Sequence, residues 1–188
     1  MSMNTMTLTQ SVSLIGLMGA GKSAIGRALS TQLGCAFADS DAEIVAEAGL
    51  TIAEIFDLAG ETKFREMELR AVRKLLDGPP VILSTGGGAF CQPDTQSAIM
   101  SQSASLWIYA PPATLLDRMS KPLKRPLLQV ADPLAVMQEL AQKRQSDYAK
   151  ATIHVDTDGC SLRQAVSLVF DALQNAGIIT SHAAHKTL

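Results

Sequence analysis

Apolar residues along the chain fall into two alternating rhythms, short unbroken runs and longer stretches with helical spacing. Ser11-Val12-Ser13-Leu14-Ile15 reads as a buried strand bounded by Gly16, and Lys22 to Leu33 then carries apolar residues at intervals of three and four. Ala36-Phe37-Ala38 is a second short strand ending at Asp39, followed by a helix through Glu43 to Glu47 that stops at Gly49. Thr51-Ile52-Ala53-Glu54 has the spacing of a capping box, so a helix is expected to begin there and end near Gly60. From Thr62 to Leu76 the pattern is a charged amphipathic helix with Phe64, Leu69, Val72 and Leu76 on its inner face.

Val81-Ile82-Leu83-Ser84 is the next strand and leads into Thr85-Gly86-Gly87-Gly88. Ser105 to Tyr109 and Thr152 to Val155 supply two more strands, with helices over Pro112 to Met119, Pro133 to Tyr148 and Leu162 to Leu173. Strands alternating with helices imply a three-layer α/β fold, with a five-stranded parallel sheet and helices on both faces. Residues 11–176 are expected to form one domain, with residues 1–10 and 177–188 as flexible extensions. Between them, residues 119–131 are rich in Pro, Lys and Leu, and a basic loop of that length predicts a mobile lid.

Composition narrows the function classes. A net charge of -2 gives no broad footprint for nucleic acid or an anionic membrane, so any positive site must be local. No apolar stretch approaches the roughly 20 residues of a membrane helix, and MSMNTMTLTQ lacks the basic and apolar regions of a secretion signal, so the cytoplasm is the expected compartment. Cys35, Cys91 and Cys160 form no CxxC pair, and His154, His182 and His185 lack metal-ligand spacing with them.

Gly16-Leu17-Met18-Gly19-Ala20-Gly21-Lys22-Ser23 satisfies G-x-x-x-x-G-K-[ST] at every specified position, between a strand and a helix. Its glycines let backbone amides converge on phosphate oxygens, and the following helix adds the positive end of its dipole. Lys22 supplies a point charge to the outer phosphates and Ser23 a hydroxyl ligand to the Mg2+ that accompanies ATP. Asp57-Leu58-Ala59-Gly60 fits the D-x-x-G of GTPase switches, but no N-K-x-D segment reads guanine and Gly60 serves as a helix stop. At the end of the second strand, Asp39-Ser40-Asp41 sets two carboxylates one residue apart, suited to steadying metal waters and accepting a hydrogen bond from an alcohol. Ser40 and Asp41 would also cap a helix well.

From Gly16 to about Thr157 the chain resembles the shikimate kinases. The matching pieces are the phosphate loop, Asp39-Ser40-Asp41, Glu61 with Phe64-Arg65 and Glu68, Thr85-Gly86-Gly87-Gly88, Arg118 with Arg125-Pro126-Leu127-Leu128, and Arg144 with Tyr148. The resemblance implies a P-loop kinase fold and transfer of the ATP γ-phosphoryl group to the 3-hydroxyl of shikimate. It assigns nucleotide contacts to Gly19, Ala20, Gly21, Lys22, Ser23, Ala24, Arg118 and Arg125, with Arg118 along the adenine. It places shikimate on Asp41, Arg65, Gly86, Gly87, Gly88 and Arg144, makes Lys22, Asp41 and Arg125 the catalytic residues, and gives Mg2+ to Ser23 and Asp39. It leaves Phe56 and Phe64 as either core or pocket wall, and ATP, ADP and shikimate as the partners of a monomer. The residues themselves leave open another small-metabolite kinase, such as a gluconate kinase, or a silent nucleotide-binding module. Arg65 with Glu68, and Arg144, have a lesser alternative reading as exposed helix charges.

Overall fold

The computed structural model describes residues 4–119, 128 and 130–183. Its centre is a five-stranded, wholly parallel sheet formed by β2 (Val12–Ile15), β3 (Ala36–Asp39), β4 (Val81–Ser84), β5 (Ala104–Tyr109) and β6 (Ile153–Asp156), in the order β3-β4-β2-β5-β6. The two strands with the purest apolar pattern, β2 and β4, are buried at every position, as strands covered on both faces must be. The flanking strands β3 and β6 are partly exposed. Two buried serines interrupt the apolar centre without cost, because Ser13 pairs with Ser103 at 2.8 Å and Ser105 with Thr152 at 3.1 Å.

Helix α1 (Lys22–Leu33) packs with α7 (Leu162–Asn175), and α3 (Ile52–Leu76) with α4 (Pro93–Gln102), giving helical layers on the sheet. Thr51 and Glu54 form the expected capping box, and Gly60 breaks α3 with φ 77° and ψ 174°, so the helix anticipated to end near Gly60 does so before a second begins across a kink. Between the two halves, Ile55 and Phe64 join Ile44 of α2 (Ser40–Ala48) and Ala71 in a small satellite core. Among the described residues, no helix is long and apolar enough to cross a membrane.

Two features depart from the pattern-based reading. Helix α4 follows a 3-10 turn at Ala89–Cys91 in a stretch where no element was expected; Pro93 in its first turn, with Asp94 beside it, is the local signal for its start. The described parts of the two expected extensions, residues 4–10 and 177–183, are also ordered into structure. β1 (Asn4–Leu8) pairs antiparallel with β7 (Ile179–Ala183), and the Thr9 amide continues the link to the Ile178 carbonyl at 2.9 Å. Met6 and Leu8 pack against the core while Ile178 and Ile179 are buried in it, so apolar burial offsets the entropy of ordering both ends. Of the expected lid, Met119, Leu128 and residues 130–131 are described; Leu128 is fully buried in the main core. Arg125, with Lys121, Pro122, Lys124, Pro126 and Leu127, lies outside the described residues.

Gly26 lets α1 sit close on the sheet: a Cβ there would stand 2.6 Å from Phe37 Cε2 and 3.1 Å from Leu14 Cδ1. Overpacking of that kind outweighs any gain in helix propensity, so Gly26→Val is expected to lose about 2 kcal/mol. Urea unfolding measures it, and an unchanged midpoint would contradict the close approach.

Candidate active site

The phosphate loop joins β2 to α1 at the carboxyl end of the sheet. Gly19 has φ 80° and Gly21 φ 84°, left-handed values that glycine alone adopts readily, and a Cβ on Gly19 would collide with the Leu115 carbonyl oxygen. Helix α1 starts with no side-chain cap and no acidic residue in its first turn, whereas α2 is capped by Asp39 and α3 by its box. Its leading amides and dipole are therefore available to an anion. Lys22 Nζ donates to the carbonyls of Gly16 and Leu17 at 2.8 and 3.0 Å, curled over the same loop.

Asp39 does two tasks at once. Its Oδ1 accepts from the amides of Asp41 and Ala42, which makes it the cap of α2, and its Oδ2 accepts from the Ser23 hydroxyl at 2.8 Å. Capping therefore falls to Asp39, and Ser40 turns inward, fully buried, to accept the Gly86 amide at 3.1 Å. Ser84, at the end of β4, lies 3.0 Å from the Ser23 hydroxyl as a third oxygen of the group. Hard oxygen donors beside a phosphate cradle suit Mg2+. Among the described residues, no cluster of three or more His, Cys, Asp or Glu could hold a metal.

The turn after β4 is tied to the phosphate loop's strand, since both the amide and the hydroxyl of Thr85 donate to the Leu14 carbonyl. Around it stand four charged side chains. A Cβ on Gly86 would lie 2.8 Å from Asp41 Oδ1 and 2.9 Å from Glu68 Oε1, so any side chain there would displace one or both carboxylates. One on Gly88 would lie 2.9 Å from Arg65 Nη2, and one on Gly87 3.4 Å from Arg144 Nη1. The two arginines and Asp41 thus converge on the same three glycines.

Arg65 and Glu68 do not form a surface pair. Glu68 is 1% exposed, and its carboxylate takes Arg65 Nη1 at 2.8 Å, while Glu61 takes Nη2 at 3.0 Å. Burial pushes the Glu68 carboxyl up, opposed by the guanidinium beside it. On Arg65, burial pulls downward but Glu68 and then Glu61 carry the net shift upward, so we take the pair as ionised. Arg144 pairs with no carboxylate among the described residues; its Nη1 donates to the Gly87 carbonyl at 2.9 Å. Phe64 is buried, and the half-exposed Phe56 ring packs on it at 4.6 Å. Cys91, just past the turn, is pushed up to about 11 by burial and is a neutral thiol at physiological pH.

A cavity of about 560 Å3 runs along the phosphate loop from Asp41, Gly86 and Gly87 to Arg118 and Cys160, within the size range of small-ligand sites. Ala20, Ser23, Ala24 and Asp39 line it; Arg65, Gly88 and Arg144 stand behind its acceptor end. At the far end Arg118 is fixed by Thr157, to whose hydroxyl it donates at 3.1 Å and whose carbonyl also accepts from it. Sequence reasoning missed Thr157, Cys160, Leu162 and Ala165 here. Their one available signal is position, directly after the last parallel strand, where such sheets place ligands.

A strand-to-helix phosphate loop on a parallel sheet, opening into a cavity lined by Asp41 and by a glycine turn that two arginines approach from outside it, defines a P-loop kinase. Comparison with known proteins specifies which. A profile of shikimate kinase matches residues 18–174. The shikimate kinase of Caulobacter vibrioides (strain NA1000 / CB15N) is 42% identical over 167 residues, 89% of this chain and 84% of that one. A shikimate kinase from Acinetobacter baumannii, solved in complex with shikimate, superposes with a TM-score of 0.83 and 32% identity, covering 89% of this chain and 94% of that one. The chain belongs to the shikimate kinase family. A gluconokinase from Sinorhizobium meliloti 1021 superposes with a TM-score of 0.58 at 16% identity, covering 90% and 94% of the two chains, and shares the fold alone.

The buried pair makes a prediction. Glu68→Ala leaves a half-buried guanidinium without its inner partner and is expected to cost roughly 3 kcal/mol. Glu61→Ala, which removes the exposed partner, should leave the urea midpoint nearly unchanged. Equal effects of the two would contradict the asymmetry of the pair.

Proposed function

We propose that the chain transfers the γ-phosphoryl group of ATP to the 3-hydroxyl of shikimate, giving shikimate 3-phosphate and ADP for aromatic amino acid biosynthesis. The observation that carries the reading is the convergence of Asp41, Arg65 and Arg144 on the Gly86–Gly88 turn at one end of the phosphate cavity. A carbocyclic alcohol bearing a carboxylate needs a planar cationic fork for the acid and an acceptor for the hydroxyl, and that end supplies both. Arg65 and Arg144 hold the carboxylate, with Gly86, Gly87 and Gly88 close against the ring. Asp41 accepts the hydrogen of the 3-hydroxyl and orients the oxygen in line with the γ-phosphorus.

Lys22, with the loop amides from Gly19 to Ala24, binds the β- and γ-phosphates and stabilises charge on the transferring group, with Arg125 as a further cation. Ser23 and Asp39 would hold Mg2+, which would neutralise phosphate charge there. Arg118 bears on the adenine, held in plane by Thr157. Phosphoryl transfer has a loose transition state, so these positioning and charge effects outweigh the base strength of Asp41. The enzyme works as a monomer in the cytoplasm.

ADP release coupled to a colour reaction, run with shikimate, gluconate and nucleoside monophosphates, tests the reading. Shikimate is expected to turn over fastest by a wide margin, and faster turnover of gluconate would displace it. Asp41→Asn should bind ATP normally and lose turnover by about two to four orders of magnitude. Near-normal turnover would remove the role given to Asp41.

A further inference from the structure

Helix α6 (Pro133–Tyr148) meets the glycine turn of the acceptor end through one atom of that turn. The Gly87 carbonyl oxygen accepts from two donors of α6, Arg144 Nη1 at 2.9 Å and the Tyr148 hydroxyl. A carbonyl has two lone pairs and can keep both. The two donors nevertheless differ in what else they can do. Tyr148 is 1% exposed, with its ring 5.7 Å from that of Trp107, so its hydroxyl has no solvent to turn to. Burial pushes its phenol up, which keeps it a donor across the physiological range. Arg144 is half-buried and forms no ion pair among the described residues, although the buried Glu68 carboxylate lies near enough to feel its charge. A charge-assisted bond from a guanidinium to a carboxylate is about twice as strong as one to a neutral carbonyl, so an arriving acid outcompetes Gly87 for Arg144.

We propose that Tyr148 is a positioning residue of the acceptor site: its hydroxyl holds the Gly87 carbonyl, and with it the Gly86–Gly88 turn, when Arg144 leaves that carbonyl for the carboxylate of the acceptor. The proposal rests on the reading of Arg144 as a carboxylate fork. Residues 144 and 148 are one helical turn apart on the same face of α6, so one donor can swing while the other stays. Without Tyr148, the departure of Arg144 would leave the Gly87 carbonyl, in the middle of the turn, with neither of its two donors from α6.

Tyr148→Phe keeps the ring and its packing on Trp107 and deletes only the hydroxyl. Calorimetric titration with shikimate and with MgADP, alongside steady-state kinetics, reads the effect. The Kd and KM for shikimate are expected to rise about five- to tenfold, the worth of one buried hydrogen bond, while kcat and the MgADP Kd stay within about twofold. Unchanged shikimate affinity, or an equal loss for both ligands, would overturn the proposal, the second outcome marking a merely structural role. A measurement on the unmutated protein stands beside it in case the variant does not fold. With 13C-carbonyl glycine, the Gly87 resonance is expected to move on saturation with shikimate as one of its two donors leaves, and an unmoved resonance would show that Arg144 does not depart. If the unmutated protein neither binds nor phosphorylates shikimate, the functional reading falls and takes this one with it. If it does both and Tyr148→Phe matches it, only the role of Tyr148 falls.

Discussion

Because β2 and β4 run parallel, with Leu14 opposite Ser84, their chains leave the sheet at the same end and side by side. Thr85 then anchors its amide and hydroxyl on the Leu14 carbonyl, so the phosphate loop and the glycine turn begin from one shared point. Every other placement in the site follows. β3 pairs on the far side of β4 with Asp39 opposite Ser84, which brings Asp39 to the Ser23 hydroxyl and Ser40 to the Gly86 amide. The apolar burial of β2 and β4 on both faces makes that register rigid, since a slip would break the packing of both helical layers at once.

Charge is distributed over this frame with little redundancy. The cradle uses backbone dipoles and an uncapped helix, which need no counter-ion while empty. The acceptor end uses side chains, and there Glu68 sits almost wholly buried to hold Arg65 against Gly88. A buried carboxylate is costly, and its presence makes sense as the means of fixing a guanidinium before any ligand arrives. Arg144, by contrast, donates to a neutral carbonyl and to no carboxylate among the described residues.

Much of this was legible in the sequence because it resides in local patterns. The five parallel strands, the capping box at Thr51, the break at Gly60 and the phosphate loop are each written in contiguous residues with a period or a spacing. What was not legible depends on long-range encounters. That Asp39 caps α2 while Ser40 turns inward follows from the approach of the turn after β4, 46 residues away from Ser40. Thr157 holds Arg118 across 39 residues, and nothing local distinguishes it from any other threonine after a strand. The spacing of Arg65 and Glu68 left a surface pair open as an alternative, and only tertiary packing, which buries the acid, decides against it. The pairing of β1 with β7 was hidden for the same reason, since two short polar-flanked segments at opposite ends of a chain carry no sign of each other.

That terminal ribbon lies on the side of the sheet where β2 begins, while the chemistry lies where β2 ends. Asn4 and Ala183 are register partners, so their Cα atoms stand within about 5 Å. A peptide of a few residues could span that gap and close the backbone into a loop. New ends could then be cut at exposed connections elsewhere, such as Gly78-Pro79, to give circularly permuted enzymes whose catalytic cleft is untouched.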